Sequence, residues 1–218
     1  MLATLPSKSL AGKAYNLIEE KIVTLEMKPG QIFTEMELVE QLNIGRTPVR
    51  EALQLLKHQG LINVLPRKGM IVTDINVGDF FLMLETRQAL EALLISKACK
   101  RSKPEHKKEL ARVAHAMHTA AENSDTKQFM RLDHEFDVIL CDAARNRYAT
   151  AALAPLHAHS RRLWFYAGRD EKLTQPASFH IRMMEGLQAE DEEMALEGLH
   201  GLMGFLNNMA RGLIEVWE

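Results

Sequence analysis

Two arginines, Arg46 and Arg50, stand one helical turn apart at the start of the stretch GRTPVREALQLLKHQG, with Thr47 and Pro48 between them. Residues at that spacing share a helical face, so both guanidinium groups point the same way. Val49, Ala52, Leu53 and Leu56 recur at three- and four-residue steps and make the opposite face apolar. Arg46, Arg50, Gln54 and Lys57 form a cationic stripe that can lie against an anion. Gly45 can cap the helix, and Pro48 is tolerated in the first turn because its missing N–H would have no partner there. The free N–H groups and positive dipole end of such a tip suit a phosphate, and Thr47 adds a hydroxyl. An arginine fork matches O6 and N7 of guanine in the major groove. This is the chemistry of reading DNA. A second candidate is Arg87, in an apolar helix beside Leu84, Leu90 and Leu94, where an unpaired charge would be costly. It either pairs with an internal carboxylate such as Asp133 or faces the carboxylate of a small effector.

The surrounding elements place these groups. Residues 10–26 read as an amphipathic helix that stops at the turn MKPGQ. TEMELVEQL follows as a short helix with Thr34 as N-cap and Glu37 as capping-box partner, and NIG turns the chain into the arginine helix. Gly60 ends that helix, and LINVLPRKGMIVT gives two β-prone runs around Pro66-Arg67-Lys68-Gly69, with Arg67 and Lys68 at the tip. This order predicts a winged helix-turn-helix. From Asn76 onward the pattern is helical throughout, with helices near 77–100, 104–123, 126–143, 146–167, 175–189 and 191–217 and a polar connection over 168–176. The expected fold class is mainly α: an α+β winged helix-turn-helix DNA-binding domain over 1–75, then an all-helical bundle over 76–218 for effector binding and dimerisation.

Composition narrows the alternatives. With 218 residues, 46 % of them hydrophobic, the chain can bury a real core. No apolar run approaches the roughly 18 residues of a membrane helix, and MLATLPSKSLAG lacks the layout of a secretory signal, so a cytoplasmic location without a membrane partner is expected. Cys99 and Cys141 are expected to be reduced core residues. The net charge of −2 argues against a general polyanion binder. His115, His118, His157 and His159 lie on polar-looking faces and are expected to be solvated, while Trp164, Phe165 and Tyr166 can wall a pocket or pack the core.

GRTPVREALQLLKHQGLI followed by LPRKGMIV resembles the DNA-binding domain of GntR-type bacterial transcription regulators, in which a [SG]RTPVREAL box opens the recognition helix and an R-G pair closes the wing. The resemblance spans about residues 10–73 and implies DNA contacts at Arg46, Thr47, Arg50, Arg67, Lys68 and Gly69. Two departures are visible: Gly45 replaces the usual Ser cap, and Met36 stands where the fatty-acid regulators of this family carry an Arg. More loosely, residues 77–217 resemble the FCD ligand-binding domain of the FadR-like branch. Its E-x-R-x-x-L-E signature falls at Glu85, Arg87, Leu90 and Glu91, and LDHEFDVILCDAARN and FHIRMMEGLQAED match two further boxes.

That resemblance implies a dimerising bundle of six or seven helices with a central effector, often beside a metal held by an Asp, a His one turn later and two more His. Asp133 and His180 fill two of those positions, but the others are Asp137 and Leu202; His134 and His200 should face away. Asp133, Asp137 and His180 are thus candidate ligands for a divalent ion such as Zn²⁺ or Ni²⁺, with a metal-free polar pocket ahead of it. Arg87, Asp133, Asp137 and His180 are the candidate effector site, and a small carboxylate is the expected ligand. The leading reading is a homodimeric transcription regulator, a repressor, binding a palindromic double-stranded operator and controlled by an organic acid. Two others stand beside it: a metal-dependent hydrolase using Asp133, Asp137 and His180 with Glu135 as base, and a winged-helix adaptor that binds protein.

Overall fold

The computed structural model describes residues 9–167 and 172–215. Helix α1 (Leu10–Val23) is capped by Ser9, whose hydroxyl accepts from the Gly12 N–H at 2.9 Å. It ends earlier than its apolar spacing suggests, because Leu25 turns left-handed at φ 60° and the Thr24 hydroxyl donates back to the Glu20 carbonyl at 2.8 Å. Helix α2 (Glu35–Leu42) carries the expected capping box of Thr34 and Glu37, and Asn43, left-handed at φ 51°, turns the chain into α3 (Arg46–His58). The hairpin β2 (Ile62–Leu65) and β3 (Gly69–Val72) gains a short third strand, β1 (Ile32–Phe33). The order is β1-β3-β2, all antiparallel, with Phe33 opposite Met70 and Leu65 opposite Gly69.

Gly69 explains its own presence. Its φ is +102°, and a Cβ there would meet the Phe33 carbonyl oxygen at 2.5 Å, so only glycine lets β3 close against β1. At the tip, the Lys68 N–H donates to the Leu65 carbonyl at 3.0 Å, with Pro66 at the first corner and Arg67 left-handed at φ 63°. Pro followed by a positive-φ residue is the pattern of a type II turn, and it leaves Arg67 and Lys68 exposed.

Six long helices follow: α4 (Val77–Arg101), α5 (Pro104–Glu122), α6 (Thr126–Ala144), α7 (Arg147–Ala167), α8 (Thr174–Ala189) and α9 (Glu192–Glu215). Residues 168–171 of the polar connection and 216–217 of the expected last helix lie outside the described residues. None of the described helices is long and apolar enough to cross a membrane. Two compact units result. One runs up to Asn76 and also takes in α7 from Ala154 onward, and the other holds the rest of the chain. Pro155, which removes a backbone hydrogen bond from α7, sits next to that division. In the first unit, Ile18 and Ile22 of α1 and Val49, Leu53 and Leu56 of α3 form a core that includes Ala158, with Phe165 packed against it.

In the second unit α8 and α9 approach closely through glycines. A Cβ on Gly198 would lie 2.7 Å from the Phe179 carbonyl oxygen, and one on Gly201 would lie 2.4 Å from the Phe179 ring.

Candidate functional site

The N-terminal end of α3 is built as the sequence implies, with one addition. Gly45 is the N-cap and supplies no side-chain hydrogen bond, so the first N–H groups of the helix face outward without a cap. Arg46, Thr47 and Arg50 are exposed, while Val49, Ala52 and Leu53 are buried beneath them. The addition is Glu35, the first residue of α2. Arg46 donates from Nε to Glu35 Oε1 at 2.5 Å, and Arg50 donates from Nε to Oε2 and from Nη2 to Oε1, each at 3.1 Å. The hydrogen bonds from Arg50 and then Arg46 hold the Glu35 carboxyl below the usual carboxylate range. Sequence reasoning passed over Glu35 because an acidic residue in the first turn of a helix already has a local explanation in the helix dipole.

In the helical unit, Arg87, Glu91, Asp133, Asp137 and His180 are buried together. The Arg87 Nε–H donates to Glu91 one turn along α4. Burial works against the Arg87 charge, but Glu91, then Asp137 and Asp133, outweigh it and raise the guanidinium further. Arg87 therefore has Glu91 as its hydrogen-bonded partner, a residue that the sequence reading placed in the signature and gave no role.

His180 contacts Asp133 Oδ1 through Nε2 at 2.7 Å and the Pro176 carbonyl through Nδ1 at 2.8 Å. A carbonyl and a carboxylate both accept, so this geometry favours the imidazolium, which donates from both nitrogens. Burial opposes that charge, yet the hydrogen bond and charge of Asp133 prevail and raise His180 above its ordinary value. The rings of Phe129 and Phe136 stand edge-on to it, with centroids 5.8 and 6.1 Å away.

The trio Asp133, Asp137 and His180 is not laid out as a metal centre. Both His180 nitrogens already face oxygen acceptors, Leu202 is a buried hydrocarbon at the fourth position, and His134 and His200 are exposed. Among the described residues no group of three or more His, Cys, Asp or Glu side chains can hold an ion. The residues present do not fit the metal that the resemblance implied. Glu135, the base of the hydrolase reading, points elsewhere and pairs with Arg112 on the surface.

Helix α7 departs most from expectation. His157 is buried, and His159 donates from Nε2 to the Gln59 carbonyl at the end of α3, at 3.0 Å. Arg162 is 1 % exposed and donates to the Thr73 hydroxyl at 3.1 Å and to the Thr73 carbonyl. The polar-looking face of α7 is thus covered by the head, and its histidines are not solvated. Trp164 is buried in the same unit, Phe165 packs on the head core, and Tyr166 is exposed. His115 and His118 are exposed.

Residues 10–72 match the gntR family of bacterial regulatory proteins, and residues 82–204 match the FCD domain. The HTH-type transcriptional regulator YdhC of Bacillus subtilis is 26 % identical over 187 residues, covering 83 % of this chain and 82 % of its own. The HTH-type transcriptional repressor RspR of Escherichia coli is 27 % identical over 153 residues, covering 70 % of this chain and 67 % of its own. Among solved structures, E. coli McbR/YncC shares the fold with a TM-score of 0.82 at 20 % identity, over 94 % of this chain and 99 % of that one. Proteins of this family regulate transcription, which sets aside the hydrolase and the adaptor. The chain belongs to the GntR family of bacterial transcription regulators, and its helical part is an FCD effector-binding domain.

Proposed function

We infer that the chain reads an operator in double-stranded DNA through the N-terminal end of α3. Arg46 and Arg50 meet base edges, Thr47 and the uncapped N–H groups meet phosphate, and Arg67, Lys68 and Gly69 of the hairpin meet the adjacent groove or backbone. The observation that carries this is the pair of exposed arginines held side by side at a helix tip without a side-chain cap, within the segment that matches the gntR family. One such helix reads only a few base pairs, so the working unit is a homodimer on a palindromic site. Residues 1–75 supply the DNA contacts and 76–218 the effector site and the dimer, with the latter half of α7 also supporting the head. The repressor role draws support from RspR, which is named a repressor. A DNA partner puts the work of the protein in the cytoplasm.

The effector is a small organic acid whose carboxylate takes the place of Glu91 on Arg87, with Asp133, Asp137 and His180 around it. A second reading has a specific observation behind it. Three carboxylates, Glu91, Asp133 and Asp137, surround one arginine and one histidine, which favours a ligand that also carries an amine. Selection of bound duplexes from a randomised pool, followed by titration and sedimentation of the complex, tests the DNA reading. Recovery of no common sequence, or tight binding of a palindrome by a monomer, would contradict it. A thermal-shift screen of organic acids, amines and amino acids against wild type and Arg87→Met tests the effector; equal shifts in both proteins would move the site away from Arg87.

A further inference from the structure

The free protein holds its two readers on one carboxylate. Arg50 meets Glu35 side-on, with Nε and Nη2 on separate oxygens, and Arg46 meets the same carboxylate through Nε alone. An arginine carries five N–H donors, and these contacts use the Nε edge of each side chain. Both terminal nitrogens of Arg46 and Nη1 of Arg50 stay outside these contacts, so donors for O6 and N7 of guanine remain on each residue. The side chains of Arg46 and Arg50 are 64 % and 52 % exposed, against 21 % for Glu35, so both guanidinium-bearing side chains stay more open to solvent than the carboxylate that holds them.

We propose that Glu35 is a positioning residue for DNA reading, one that aligns the forks of Arg46 and Arg50 and lowers the attraction of this tip for phosphate that carries no sequence. The proposal rests on the DNA reading above. Two physical effects follow from one carboxylate. Long arginine side chains lose rotamer freedom when they dock, and a preset orientation removes part of that loss from binding to the correct bases. A negative charge between two positive ones also weakens sequence-independent attraction to the phosphate backbone, which depends on the number of cations presented. The first effect strengthens specific binding and the second weakens non-specific binding, so both widen the ratio between them.

The experiment compares wild type, Glu35→Gln, Glu40→Gln, Arg46→Ala and Arg50→Ala as full-length proteins, each titrated at several salt concentrations against the selected duplex and an unrelated duplex of equal length. Glu40 is an exposed acid on the same helix and controls for charge alone. The expected result for Glu35→Gln is a weaker grip on the selected duplex, a tighter grip on the unrelated one, a specificity ratio lowered roughly ten-fold, and a salt slope steeper by about one. Glu40→Gln should keep the ratio. A Glu35→Gln protein whose ratio and slope match wild type, or whose two affinities fall together, overturns the proposal and leaves Glu35 a structural residue of α2. Wild-type binding by both Arg46→Ala and Arg50→Ala overturns instead the DNA reading on which the proposal stands.

Discussion

The glycine contact between α8 and α9 invites a test in which two similar substitutions on one helix should act in opposite directions. Gly198→Ala adds a methyl group 2.7 Å from the Phe179 carbonyl oxygen and 2.8 Å from the Met183 N, both backbone atoms of α8. No rotamer change relieves a backbone clash, so α8 must retreat by about 0.7 Å to restore a normal contact near 3.4 Å. Overpacking of this kind costs about 1–3 kcal/mol, and alanine returns about 1 kcal/mol over glycine in a helix. A rigid neighbour puts the strain towards the top of its range, which leaves a net loss of about 1–2 kcal/mol. Gly204 on the same helix has nothing within 4 Å of its Cβ position, so Gly204→Ala should stabilise by about 1 kcal/mol. At roughly 2–4 °C per kcal/mol for a chain of this size, the melting temperature should fall by about 2–8 °C for the first and rise by about 2–4 °C for the second. Calorimetry on the two proteins reads this directly. His180 adjoins Phe179, so the same retreat should lengthen its 2.7 Å contact with Asp133 and shift the imidazole resonances in NMR. Changes of the same sign in the two variants would refute the packing argument.

Three further outcomes are expected. Arg46→Ala should weaken binding to the selected duplex by about 1–3 kcal/mol with loss of preference at particular base pairs, whereas Lys57→Ala, near the far end of α3, should act weakly and equally on all sequences in the same titration. His159 is held below its ordinary value, chiefly by burial and also by Arg162, with the Gln59 carbonyl opposing both. The unfolded state then binds the proton more readily, so His159 contributes stability above about pH 6.5 that is lost as pH falls towards its folded value. Denaturant titrations from pH 7.5 to 5 should show that loss in wild type and less of it in His159→Gln. Ala158→Asp places a carboxylate in a fully buried site of the head core and should reduce amide-exchange protection across α1 and α3, which native-state hydrogen exchange will show.

Much of this architecture was written in local sequence signals. The capping box of Thr34 and Glu37, the NIG turn after α2 and the glycine stop at Gly60 each mark a helix end through chemistry confined to a few residues. Strand β1 was not legible, because two residues cannot display an alternation and Ile32 and Phe33 gain their pairing only from Ile71 and Met70 across the wing. The arginine tip was legible from its spacing, but its link to Glu35 depends on how α2 lies against α3, and that angle has no signature in either helix. The burial of His157 and Arg162 was hidden for a related reason. Periodicity tells which face of α7 is apolar, whereas here the polar face is covered too, with Thr73 as the partner of Arg162 and the Gln59 carbonyl as the partner of His159, each more than eighty residues away. Arg87 was recognisable as a charge needing a partner, and Glu91 was missed because an i,i+4 pair reads as ordinary helix decoration until both members prove buried.

The inclusion of Ala158 in the head core has a consequence for biosynthesis. The head's own stretch of chain ends at Asn76, but the residue that completes its core is made about eighty residues later. At roughly 5–20 residues per second, the ribosome leaves α1 and α3 without that cover for about 4–16 s, while α4, α5 and α6 are being translated. During that interval the nascent head exposes part of its apolar interior to chaperones and proteases. Its maturation is thus timed by the synthesis of α7, well after its own codons have been read.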